Sequence, residues 1–150
     1  MLAGLKVLVA EDNDINAMIL TRHFDKLGAG VSRARNGIEA VELATAENFD
    51  LIVMDLFMPE RDGRDATRAI RAYETQTQRS PTPILALTAS AQEEDRRAAR
   101  AAGVDAFLTK PVDFATLGAT LEEIRASALR TQNAARQPAA SGNAPNLPSR

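Results

Sequence analysis

Short apolar runs alternate with amphipathic stretches along most of this chain. LKVLVA (5–10), GVSRA (30–34), LIVMD (51–55), PILALT (83–88) and VDAFLT (104–109) are strand-like by length, by apolar content and, in most, by β-branched residues. The segments between them carry helical spacing. The first, about 14 to 27, sets Leu20, Phe24 and Leu27 on one face, with Gly28 placed as its terminator. Asn36-Gly37 opens a second, with Ile38, Val41 and Ala44 expected inward. A third spans about 64 to 77 and a fourth about 91 to 102, before Gly103. The fifth, about 113 to 129, places Phe114, Leu117, Leu121 and Ile124 at helical spacing.

Five such strand–helix units predict an α/β fold with a parallel sheet covered by helices on both faces, because parallel strands need crossovers. Periodicity does not give the strand order. From about Arg130 the composition turns to Ala, Pro, Asn, Gln and Ser with Leu147 as the one large apolar residue, so 130–150 is expected to be a disordered tail or linker after a single domain at 4–129.

Composition narrows the chemistry. The 150 residues are 45% hydrophobic, enough for one core, and a net charge of −2 with both signs interspersed argues against nucleic-acid binding. Without cysteine, and with His23 as the sole histidine, any metal site must use oxygen ligands. Neither a signal sequence nor a membrane-length apolar segment is visible in the sequence, so a cytoplasmic chain without membrane contact is expected. Oligomeric state is not legible.

Ligands of open parallel sheets bind at the carboxyl ends of the strands. Those ends here are Ala10-Glu11-Asp12, Asp55, Thr88-Ala89-Ser90 and Thr109-Lys110-Pro111. Taken singly, each has a plain structural reading: an acidic helix start, a strand-ending loop residue, a hydroxyl cap, a dipeptide of no special meaning. Taken together, they put three carboxylates, a hydroxyl and an ammonium on one edge. Crowded carboxylates repel unless a cation intervenes, and Mg²⁺ suits carboxylate and phosphate oxygens. Glu11, Asp12 and Asp55, with a backbone carbonyl after the strand, would supply its ligands. Lys110 is then a charge for a phosphate oxygen, Thr88 a hydrogen-bond partner and Asp55 the nucleophile of a phosphoryl transfer.

VLVAEDNDIN (7–16), LIVMDLFMPERDG (51–63), ILALTAS (84–90) and AFLTKP (106–111) together resemble the receiver domain of two-component response regulators, in the right order over about residues 4 to 127. The resemblance implies a flavodoxin-like sheet of order 2-1-3-4-5 with five helices, and a cis Lys110–Pro111 bond. By position, Asp55 matches the phosphoacceptor, Glu11 and Asp12 the acidic pair for Mg²⁺, and Phe57 the residue whose carbonyl joins them. Thr88 matches the switch hydroxyl, Lys110 the phosphate-binding lysine and Phe107 the aromatic switch residue, a position that plain core packing also explains. The implied partner is a histidine kinase or histidine phosphotransfer protein, and the implied output face is formed by helix four, strand five and helix five. The EDNDIN and TKP forms are closest to receivers of hybrid sensor histidine kinases. The chain fits either a stand-alone regulator or a receiver cut from a longer protein, and no DNA-binding or enzymatic output domain is visible in it.

Phe57 and Ser90 occupy the positions where the family tunes loss of the phosphoryl group, and neither is an acid or amide, so slow self-hydrolysis is expected. An aspartyl phosphatase or phosphotransferase would need a second acid at position 57. Stoichiometric acceptance is therefore expected over enzymatic turnover. Gly-rich nucleotide loops are missing from the sequence. Arg61 and Arg64 read as solvated loop residues. Ile15 and Ile19 lie about 100° around the first helix from its core stripe, which fits a docking patch for the phosphodonor or a peripheral piece of core.

Overall fold

The fold is described from a computed structural model, which covers residues 3–58, 62–89 and 92–136, with backbone alone over 127–136. Pro59, Arg61 and Ser90 lie outside the described residues, as does everything from 137 onward.

The chain divides into two units after Asp113. The first holds five strands, β1 (Lys6–Ala10), β2 (Gly30–Ala34), β3 (Leu51–Asp55), β4 (Ile84–Thr88) and β5 (Ala106–Thr109), and four helices, α1 (Asp14–Lys26), α2 (Gly37–Ala46), α3 (Gly63–Thr77) and α4 (Glu93–Ala102). All strand pairs are parallel and the order is β2-β1-β3-β4-β5. The second unit contributes α5 (Phe114–Arg136). That helix continues past residue 129, because its polar, alanine-rich extension keeps helix-favouring residues up to Arg136. Leu117, Leu121 and Ile124 form its apolar stripe, whereas Phe114, at the same helical spacing, is the first residue of the helix and is 37% exposed.

The central strands β3 and β4 are buried along their whole length. That is why they read as unbroken apolar runs rather than alternating ones. Leu8, Ile52, Met54, Ile84 and Ala86 form the middle of the core, closed by Ala40, Ala44, Ala66 and Ile70 from α2 and α3. On α2 the inward stripe is Gly37, Ala40 and Ala44, and Ile38 is 45% exposed, against the expectation from its size. The small residues face inward and Ile38 is rotated off them by one position. α1 buries Ala17, Leu20 and Phe24, and its N-cap Asn13 accepts a hydrogen bond from the Asn16 N–H. Asn36 and Asp62 cap α2 and α3 in the same way.

α3 begins unusually close to the sheet. A β-carbon on Gly63 would sit 2.3 Å from the Asp55 carbonyl oxygen and 2.8 Å from the Leu56 α-carbon. Only glycine permits that approach, and its N–H donates to the Leu56 carbonyl at 2.9 Å.

Candidate functional site

Register alone brings the acids together. Ala10 pairs with Met54, so Glu11 stands level with Asp55 as the chain leaves the two central strands. On the other side Asp55 pairs with Leu87 and Thr88 with Thr109, which sets Thr88 and Lys110 at the same edge. Oxygen atoms of Glu11, Asp12 and Asp55 all lie within 4.8 Å of one another.

Asp55 and Glu11 are buried, while Asp12 is exposed at the mouth. The Lys110 Nζ donates to Asp55 Oδ2 at 3.1 Å, and the Phe57 N–H donates to Asp55 Oδ1 at 3.2 Å. The same Nζ lies 3.1 Å from Glu11 Oε1. Its direction there makes no hydrogen bond, which leaves a buried oxygen with a neighbouring charge but no proton donor. Glu11 Oε2 accepts from the Asn13 N–H at 3.1 Å. The strand-to-loop geometry around Lys110 is set by its own N–H, which donates to the Thr88 carbonyl at 2.8 Å, and the Lys110–Pro111 bond is cis.

The electrostatics record a cluster short of positive charge. Burial, above all, raises the Glu11 pKa from 4.5 to about 7; the Asn13 N–H and the Lys110 ammonium oppose the rise and the Asp55 charge adds to it. Burial would lower the Lys110 pKa, but the hydrogen bond and charge of Asp55, then the neighbouring Glu11 carboxylate, raise it. One ammonium facing three acids leaves a negative excess. An unsatisfied buried carboxylate oxygen within an all-oxygen donor set fits a hard divalent cation.

Thr88 is buried beside the cluster. Phe107 is partly buried against the core, with the guanidiniums of Arg96 and Arg100 at 5.7 and 5.1 Å from its ring centre. Phe57 is half exposed and Arg64 sits 5.5 Å over its ring, so Arg64 is an aromatic contact as well as a solvated residue. Ile15 and Ile19 are both exposed, at 64% and 45%, and Met18 is exposed on the same helix. Sequence reasoning missed Gly63, although Asp62-Gly63 carries a cap-and-turn signal. It also missed Arg33, which binds the turn bearing Glu11 and Asp12; no local spacing advertises that contact.

The family model of the response regulator receiver domain matches residues 7–122. The chain belongs to the response regulator receiver domain family. It is 38% identical over 127 residues to the sensor histidine kinase GacS of Pseudomonas protegens, covering 85% of this chain but only 14% of that protein. The receiver domain of the histidine kinase CKI1 from Arabidopsis thaliana, complexed with Mg2+ and BeF3-, superposes with a TM-score of 0.76 at 35% identity, over 83% of this chain and 92% of that one. The receiver domain of Ssk1 from Saccharomyces cerevisiae, co-crystallised with the histidine phosphotransfer protein Ypd1, gives 0.73 at 37% identity, over 76% and 83%. Among the described residues no helix is long and apolar enough to cross a membrane.

Proposed function

We propose that this chain is the phosphoacceptor of a phosphorelay, taking a phosphoryl group from a phosphohistidine onto Asp55 with Mg²⁺ bound. The observation that carries the reading is the buried Asp55 carboxylate, held by Lys110 at 3.1 Å and flanked by Glu11 and Asp12. Glu11, Asp12, Asp55 and the Phe57 carbonyl would hold the cation, which when bound supplies charge neutralisation for the transferred group. The relatives crystallised with Mg2+ and BeF3-, or with a histidine phosphotransfer protein, support the same assignment.

In the transfer, a carboxylate oxygen of Asp55 forms the new P–O bond as the P–N bond to the donor imidazole breaks, and the imidazole leaves with the bonding pair. Lys110, already hydrogen-bonded to Asp55, neutralises a phosphoryl oxygen. Thr88 turns its hydroxyl toward the phosphoryl group, and Phe107 repacks into the space so released. The acylphosphate carries roughly −1.5 to −2 charges at neutral pH, judged from other phosphorylated side chains, in place of the single negative charge of the Asp55 carboxylate, a change that biases α4 and β5 toward a second arrangement. Ile15 and Ile19 form the apolar patch on which the donor's helices dock. Phe57 offers no acid or amide group to orient an attacking water, so hydrolysis is slow and the chain is a stoichiometric acceptor rather than an enzyme. The receiver unit is assigned to 4–129 and the segment beyond it to a linker, in a cytoplasmic protein that touches neither membrane nor nucleic acid through this chain.

Incubation with a small acyl-phosphate donor tests the reading. One phosphoryl group per chain is expected, dependent on Mg²⁺, absent in Asp55→Asn and decaying over minutes or longer; repeated turnover of the donor, or loss within seconds, would contradict it.

A further inference from the structure

The acidic turn after β1 is tied to the neighbouring edge strand by one side chain. Arg33, near the end of β2, is 21% exposed and aims its guanidinium along residues 11–14. Its Nε and Nη2 donate to the Glu11 carbonyl at 3.2 and 2.9 Å. Nη2 also donates to the Asp12 carbonyl at 3.2 Å, and Nη1 to an Asp14 carboxylate oxygen at 2.7 Å. The Glu11 N–H completes the tie by donating to the Ala34 carbonyl at 3.0 Å. Both sides of the peptide chain around Glu11 are therefore fixed to β2.

We infer that Arg33 is a positioning residue for the cation site: its guanidinium clamps the Glu11 and Asp12 peptides so that both carboxylates converge on Asp55. The inference rests on the reading of the site given above. A planar fork with several donors can hold acceptors that diverge in direction, which a single ammonium cannot. The sign of the effect separates this role from simple electrostatics. As a nearby positive charge, Arg33 repels a divalent cation, so Coulomb's law alone predicts tighter Mg²⁺ binding once that charge is removed. Loss of a positioning clamp predicts weaker binding.

The test is calorimetric titration of Mg²⁺ into the full chain and its Arg33→Gln and Arg33→Lys variants, joined to amide hydrogen exchange over residues 11–14 in the metal-free proteins. Arg33→Gln is expected to bind roughly 10-fold more weakly, the low end of what losing an outer partner costs a metal site. Arg33→Lys keeps the charge yet recovers little of that affinity, and exchange over 11–14 quickens in both while the β3 and β4 amides stay protected. Equal or tighter binding by Arg33→Gln, or full recovery by Arg33→Lys, overturns the inference. Should Arg33→Gln fail to fold, Arg33→Lys decides alone. An unaltered chain that binds no Mg²⁺ overturns the site reading along with the clamp, whereas an unaltered chain that binds and a glutamine variant that matches it overturn the clamp only.

Discussion

At the amino-terminal end of β4 and β5, Arg71 donates to Glu74 at 2.7 Å, to the Thr82 and Gly103 carbonyls at 2.8 and 3.0 Å, and to Asp105 at 2.9 Å. The second oxygen of Glu74 takes the Thr82 N–H at 2.8 Å, and Asp105 takes the Ile84 N–H at 2.8 Å. At the carboxyl end of β1 and β3, Glu11 and Asp55 share the ammonium of Lys110 with Asp12 clustered beside them, and Glu11 Oε1 has no hydrogen-bond donor. Buried acids occur at both ends, and only one end completes their partners from the chain itself. The difference separates a scaffold from a site. Where both oxygens of the buried acid are filled, charge fixes the approach of α3 to the strands; where charge is left over, the fold holds acids ready for a cation and a phosphoryl group.

Opposite signs of mutational effect follow from this contrast. The largest belongs to Arg71→Ala, which strands the Glu74 carboxylate in the interior: a loss of about 3 kcal/mol in denaturant unfolding is expected, nearly the same with and without Mg²⁺. Gly63→Ala forces a β-carbon against the Asp55 carbonyl and is expected to cost about 2 kcal/mol, with weakened Mg²⁺ binding because the Asp55–Leu56 backbone must shift.

Glu11→Gln is expected to stabilise the metal-free protein. Folding raises the Glu11 pKa from 4.5 to about 7, so between those values the folded chain holds more protons than the unfolded one. Its stability therefore falls as pH climbs through that window and is flat above it. Glutamine imitates the protonated form, so the gain is on the order of 2 kcal/mol at pH 8 and vanishes near pH 4, measured by unfolding at each pH. The same substitution weakens Mg²⁺ binding. A destabilised Glu11→Gln at pH 8 would mean that the two ends of the sheet do not differ. Smallest in stability is Ile15→Asp on the exposed face of α1, within about 0.5 kcal/mol of the unaltered chain. It is expected to slow phosphotransfer from a phosphohistidine protein while leaving transfer from a small acyl phosphate unchanged, as measured by the two rates.

The strands, their parallel arrangement and the acids at their ends were legible because a sheet buried on both faces writes apolar runs, and its ligand edge interrupts them with polar residues. Glu11, Asp55, Thr88 and Lys110 each sit at such an interruption. Helix faces were less legible. Ile38 outranks its neighbours in size, yet the fully buried positions of α2 are Gly37, Ala40 and Ala44, with Val41 and Leu43 packed beside them against the core, so size alone did not mark the face that turned inward. Gly63 and Arg33 were missed for another reason: each acts on residues distant in the chain, one by leaving the Asp55 carbonyl the space a β-carbon would fill and the other through bonds to a turn some twenty residues earlier. Neither relation leaves a local period. The order of the strands came from the family resemblance and not from the pattern of the residues.

Chemical location of the transferred group tests the central assignment most directly. Borohydride reduces an acylphosphate of aspartate to homoserine, so the chain, phosphorylated in Mg²⁺, reduced and digested, should show homoserine at position 55 and aspartate still at position 12. Homoserine at position 12, or at no position after phosphate uptake, would contradict the account.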